Sequence, residues 1–226
     1  MSEGHEDYLN PDYYRGARKH NYFGQEDYLR RKLEHSALEL GYGGLGMLAS
    51  EEFIVGLQQG LEAEVGEASA VIMYQCGLEW GKLDMIDFEK RMQKEYQRSI
   101  RDMNVHFVLE AWWWPLTSAG WGSWSVDLSR VEQGYIVVQM NNSAVAQSLE
   151  RIGKPVCHLY AGLLAGSLTP LVGANLSAIE IQCYAMGEDH CRFLVGREER
   201  VDAAEFWLNE GASAVEIVRQ LDAAKS

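Results

Sequence analysis

At 226 residues, with 47% hydrophobic and 23% charged residues, the chain has ordinary globular composition and enough length to bury a substantial core. Its 33 acidic and 20 basic residues leave a formal net charge of −13, which argues against a nucleic-acid surface and disfavours an anionic membrane as partner. No basic segment precedes an apolar stretch at the amino terminus and no run of about 18 apolar residues occurs, so no membrane span is expected and the chain reads as cytoplasmic.

Residues 1–27 form a leader with Tyr8, Tyr13, Tyr14, Tyr22 and Phe23 among mixed charges, without periodicity. It reads as an amino-terminal arm, either solvated or laid across a neighbour. From Tyr28 to Leu40, the spacing of Leu29, Leu33, Ala37 and Leu40 predicts a helix, broken by Gly41-Tyr42-Gly43-Gly44. GYGGLG lacks the Lys-Ser/Thr ending of a phosphate loop and reads as a turn.

Ser50 is a candidate N-cap, followed by Glu51 and Glu52 in the first turn and by Phe53, Leu57 and Leu61 on the buried face. Two further helices are expected over about 68–80 and 87–103, with their charges forming a solvated face. Cys76, alone on an apolar helix, is assigned to the core. Then VHFVLEAWWWPLTSAGWGSW carries Trp112, Trp113, Trp114, Trp121 and Trp124. Three consecutive tryptophans cannot all face one core. Either some line a pocket, groove or interface, or two are core and one is partly exposed. Strands are predicted at Ser125–Leu128 and Tyr135–Met140, and Asn142-Ser143 suits the cap of a helix ending before Gly153-Lys154-Pro155.

The stretch from Pro155 to Gly196 concentrates the chemistry. It holds three of the four cysteines, Cys157, Cys183 and Cys191, with Glu180 three residues before the second. Apolar residues after Pro155 predict a helix of four turns. AIEIQCYA and CRFLV flank a turn at Gly187-Glu188-Asp189, giving a β-hairpin with a thiol on each arm. Thiolates and a carboxylate at this density suggest a metal, and zinc takes four such donors in a tetrahedron. Glu180 and Cys183 differ by an odd number of positions, so a flat strand points them to opposite faces. A zinc reading therefore requires a bulge or twist between them. Buried free thiols and a hairpin disulfide are the alternatives, since the spacing is not that of paired C-x-x-C motifs.

PVC opening a helix, E-x-x-C, a Gly-containing turn and C-R-F before an apolar strand resemble the carboxyl-terminal half of the vinyl-4-reductase domain family. Gly120-Trp121-Gly122-Ser123-Trp124 and Asn142-Ser143 extend the resemblance, which covers roughly residues 30–197. Its members include phenol-sensor-type, hydrocarbon-binding sensory domains and a bacteriochlorophyll 4-vinyl reductase-like protein. The resemblance implies an α+β fold of the NO-signalling/Golgi-transport ligand-binding superfamily, an antiparallel sheet packed with helices. It implies a structural zinc on Cys157, Glu180, Cys183 and Cys191, an apolar pocket and a homodimer packed through its helices. For that pocket the candidates are His106, Trp112, Trp113, Trp121, Trp124 and Met140. Met140 stands where the phenol sensors place a Trp, which favours a larger or irregular apolar ligand over phenol. The domain is expected over 28–197, with a helical extension over 198–226 formed of two short amphipathic pieces separated by Gly211.

The expected function is a zinc-stabilised module that senses or carries a hydrophobic small molecule and passes signal or cargo to a partner. A non-catalytic accessory role in tetrapyrrole (chlorophyll or bilin) handling or photosystem assembly is the alternative, and a structural adaptor the second. Catalysis is not favoured: no strand leads into G-x-G-x-x-G, and a zinc with four protein ligands has no open position.

Overall fold

A computed structural model of the chain describes residues 29–40, 44–149 and 151–224. The strands are β1 (Leu29–Lys32), β2 (Ala37–Leu40), β3 (Leu45–Gly46), β4 (Ser123–Asp127), β5 (Tyr135–Asn141), β6 (Ser177–Gln182) and β7 (Cys191–Gly196). The α-helices are α1 (Glu51–Val65), α2 (Ala68–Tyr96), α3 (Val105–Ser118), α4 (Ala144–Ser148), α5 (His158–Val172), α6 (Glu198–Asn209) and α7 (Ala214–Ala223). Both sheets are antiparallel, ordered β1-β2-β3 and β4-β5-β7-β6, so the expected α+β class is what the chain adopts.

Two compact units divide these elements. The first comprises residues 1–48 and 89–119, the second residues 49–88 and 120–226. In the first, the predicted 28–40 helix is instead the β1–β2 hairpin, turned by a short 3-10 segment at Leu33–His35 that ends on Ser36 with φ 51°. The apolar spacing is satisfied without a core for it, as Leu33 is 84% exposed. Most of the leader, the 41–43 glycine turn and Glu150 lie outside the described residues. On α3 the Asn104 side chain accepts from the amides of His106 and Phe107, which starts the helix. Trp112 and Trp113 are buried and Trp114 is partly exposed, so two tryptophans are core.

In the second unit, α2 is continuous where two helices were expected. No breaker lies between Trp80 and Asp87, and the buried positions run unbroken through Met73, Gly77, Gly81 and Met85. Cys76 falls beside that row and is exposed, which corrects its assignment to the core.

Helix α5 is buried on every side from Tyr160 to Leu168. A Cβ on Gly77 would stand 2.0 Å from the Leu159 carbonyl oxygen, and one on Gly162 1.9 Å from that of Tyr74. Gly81 and Gly166 meet the carbonyls of Leu163 and Leu78 in the same way. Two small-x-x-x-small pairs thus bring α2 and α5 to backbone contact, and the Ser167 hydroxyl donates to the Gly81 carbonyl at 3.1 Å.

Strand alternation gives the four-stranded sheet two apolar faces. One carries Trp124, Val138, Met140, Cys191, Phe193 and Ala178. The other carries Tyr135, Ile181 and Leu194, covered by Val201 and Ala204 of α6 and Ile217 and Leu221 of α7. Helix α7 begins with a capping box between Ser213 and Glu216. It is tied to the sheet by the Tyr135 hydroxyl, which donates to Asp222 at 2.6 Å, and by Arg130 Nε, which donates to the same carboxylate at 2.9 Å. No helix among the described residues is long and apolar enough to cross a membrane.

Candidate functional site

The hairpin β6–β7 and the start of α5 bring Cys157, Glu180, Cys183 and Cys191 together. Their ligand atoms all lie within 4.8 Å of one another, and all four residues are buried. The bulge that the spacing required is present. Glu180 pairs with Phe193 and Gln182 with Arg192, so Ile181 is the extra residue between them. The shift returns Cys183 to the face of Glu180 and Cys191. Without it the second thiol would point toward α6 and α7.

The cysteine sulfurs stand 3.9 Å apart for Cys157–Cys191 and 3.9 Å for Cys183–Cys191, and all three cysteines are free. A disulfide needs about 2.05 Å. A tetrahedral zinc with Zn–S of about 2.3 Å separates its sulfurs by about 3.8 Å, which is the spacing found.

Glu180 is 2% exposed and oriented by the chain itself. Its Oε2 accepts from the amides of Val156 at 3.0 Å and Cys157 at 2.8 Å, which lead into the positive end of α5. Its Oε1 is buried with no hydrogen-bond partner. A buried carboxylate oxygen without a partner is costly. A cation between it and the three sulfurs removes that cost, so the donor set fits zinc. Four protein donors would complete its tetrahedron and leave no site for water, which is the arrangement of a structural metal.

The surrounding polar groups support the same assignment. The Ser143 hydroxyl lies 3.7 Å from the Cys157 sulfur and caps α4 by accepting from the Ala146 amide. Burial pushes the Cys157 thiol and the Glu180 carboxyl well above their usual ranges, and the charge of Cys183 adds to the effect on Glu180. Hydrogen bonds from Cys157 and Cys191 hold Cys183 well below its usual range. Four acidic groups this close cannot all ionise without a cation.

Beside the cluster stands an aromatic wall. Tyr160, one turn after Cys157 on α5, is edge-on to Trp121 at 6.0 Å, Trp124 at 6.2 Å and Phe193 at 6.5 Å. Phe193, two residues after Cys191 on β7, stacks on Trp124 at 6.0 Å. Trp80 of α2 packs on Trp121 at 5.1 Å. The Tyr160 hydroxyl donates to the Trp121 carbonyl at 2.8 Å, and burial pushes its pKa up, so it stays a neutral donor.

Of the sequence-predicted pocket residues, Trp121, Trp124 and Met140 belong to this unit. Met140 pairs across the sheet with Trp124 on one side and Cys191 on the other. His106, Trp112 and Trp113 belong to the other unit, on α3. Tyr160, Phe193 and Trp80 were missed. The signal was available for the first two: Tyr160 lies at helical spacing from Cys157, and Phe193 at strand spacing from Cys191.

Residues 136–197 match the family model of the vinyl-4-reductase domain. The family resemblance of the sequence is borne out over this segment, which runs from β5 through β7 and contains all four cluster residues. Two uncharacterised proteins of Methanocaldococcus jannaschii are 26% identical over 76 residues and 29% identical over 68 residues. These alignments take in 34% and 30% of this chain, and the chain spans less than half of each relative, 44% and 42%. The phenol-responsive sensory domain of the transcription activator PoxR, solved with phenol, has the same fold. It is 20% identical, covers 83% of this chain and 95% of its own, and has a TM-score of 0.65.

Proposed function

We propose that this chain is a zinc-stabilised binding module that senses or carries an apolar small molecule and passes signal or cargo to a partner. The observation that carries the reading is the cluster of three thiols and one carboxylate, built on the same two elements as the aromatic wall. Cys157 and Tyr160 share the first turn of α5, and Cys191 and Phe193 share one face of β7. Zinc held by Cys157, Glu180, Cys183 and Cys191 would fix the hairpin against α5 and thereby set the wall's geometry. When bound it supplies cross-linking rather than catalysis.

Trp121, Trp124 and Met140 are the proposed ligand contacts in this unit. Aromatic faces and a thioether suit an apolar, irregular molecule. The phenol carried by the similarly folded sensory domain supports a small apolar or aromatic compound as the class.

The partner proposed first is a second copy of the chain. On α2, Ile72, Cys76, Glu79, Leu83 and Ile86 recur at alternating spacings of four and three, and the apolar members are exposed, Leu83 to 64%. That is the pattern of a helix seam seeking another helix.

Native mass spectrometry of protein purified from its own host, followed by denaturation, tests the module. An apolar compound released beyond protein and zinc supports it. A zinc-loaded chain that neither carries nor takes up such a compound would refute the carrier and sensor reading.

A further inference from the structure

The opposite face of the same sheet carries a second feature that the zinc and the aromatic wall do not use. Between β4, β5, β7 and the start of α7 lies a cleft of about 320 Å³, lined by Ser125, Asp127, Arg130, Val137, Gln139, Arg192, Val215 and Val218. Three valines from two elements give it an apolar wall, and two arginines give it charge.

The arginines are not equivalent. Arg130 is committed: its Nε donates to Asp222 at 2.9 Å and its terminal nitrogen donates to Asp127 at 2.7 Å and to Ser129 at 3.2 Å. Asp127 and Asp222 are thereby neutralised. Arg192 is half-buried in the strand and bonds to no carboxylate among the described residues. Its cross-strand neighbours are neutral amides, Gln139 on β5 and Gln182 on β6. Gln182 is turned to the carbonyl of His190, and Gln139 to the Asn141 side chain. In a chain with net charge −13, a guanidinium with no acidic partner at the floor of a cleft is a charge reserved for something else.

We propose that this cleft binds a small carboxylate with a short apolar body. The guanidinium of Arg192 takes the carboxylate in a forked pair of hydrogen bonds, while Val137, Val215 and Val218 cover the apolar part. Ser125 stands at the rim as a further hydroxyl donor. The volume is at the low end for ligand pockets, so the class is restricted to molecules of single-ring or short-chain size. Because Val215 and Val218 belong to α7, the ligand binds the docked form of that helix and stabilises its attachment through Tyr135 and Arg130 to Asp222.

Methyl NMR of the full chain titrated with benzoate tests this. Saturable shifts are expected at the methyls of Val137, Val215 and Val218, with affinity at least about tenfold weaker in Arg192→Gln and partly retained in Arg192→Lys. Spectra of the unliganded variants, unchanged away from β7, establish that they fold. Absence of saturable shifts, equal binding by Arg192→Gln, or shifts confined to Trp121, Trp124 and Met140 would each overturn the proposal. The last result would place benzoate on the aromatic wall instead, leaving the module reading intact.

Discussion

Cys191 pairs across the sheet with Met140, so a cluster sulfur and a proposed ligand-contact residue are direct neighbours. Phe193, two positions further along β7, then stacks on Trp124. The cluster and the aromatic wall therefore share a strand. Anything that loosens one must disturb the other.

Chelation is predicted to show this coupling. Removing the metal leaves several acidic groups in a buried space and frees the hairpin from α5. Tryptophan fluorescence should change with metal loss, because Trp121 and Trp124 pack on Tyr160 and Phe193. Recovery on adding zinc back, followed in the same signal, checks it. A signal indifferent to the metal would disconnect the two features.

The glycine contacts between α2 and α5 make a different prediction. Gly162→Ala places a methyl 1.9 Å from a backbone oxygen that cannot move aside without shifting a helix. Overpacking of this kind costs about 3 kcal/mol or more, read as a lower urea midpoint. Gly60→Ala is the control. Nothing lies within 4 Å of its Cβ position on α1, so replacing a helical glycine there should stabilise by about 0.5–1 kcal/mol.

The attachment of α7 should depend on pH. The hydrogen bond from Arg130 holds the Asp222 carboxyl below the usual range, and the Tyr135 hydroxyl reinforces it. A group whose folded pKa is depressed stabilises the fold above its unfolded pKa and loses that contribution as pH falls through the folded one. The stability difference between the natural chain and Asp222→Asn is thus expected at neutral pH and should close in acid. Urea unfolding at several pH values measures it, and a difference independent of pH would contradict the assignment.

For the seam on α2, Leu83→Asp should convert a dimer to monomer in sedimentation without loss of helical signal, since Leu83 is exposed within the chain. A natural chain that sediments as a monomer at micromolar concentration would rule out the seam.

Much of the site was legible because its chemistry is local in sequence. Cys183 and Cys191 bracket one hairpin, and parity alone required the bulge found at Ile181. The Ser143 cap and the helix after Pro155 were readable for the same reason, as turn and cap chemistry act over a few residues. The 28–40 segment was not. Its apolar spacing fits a helix, yet the segment pairs as a hairpin, and pairing is decided by partners that local periodicity does not contain. Cys76 was misplaced because a lone cysteine says nothing about which helix face is buried. Here that face is set by Gly77 and Gly81 meeting α5.

The most direct test is the zinc content of the purified chain and of Cys183→Ser and Cys191→Ser, by elemental analysis with thiol titration of the natural chain before and after denaturation. One zinc per chain is predicted, with three thiols unreactive until the metal is released and little or no zinc in either variant. A natural chain without zinc whose three buried thiols behave the same with or without added metal, or variants that keep full zinc, would contradict the account.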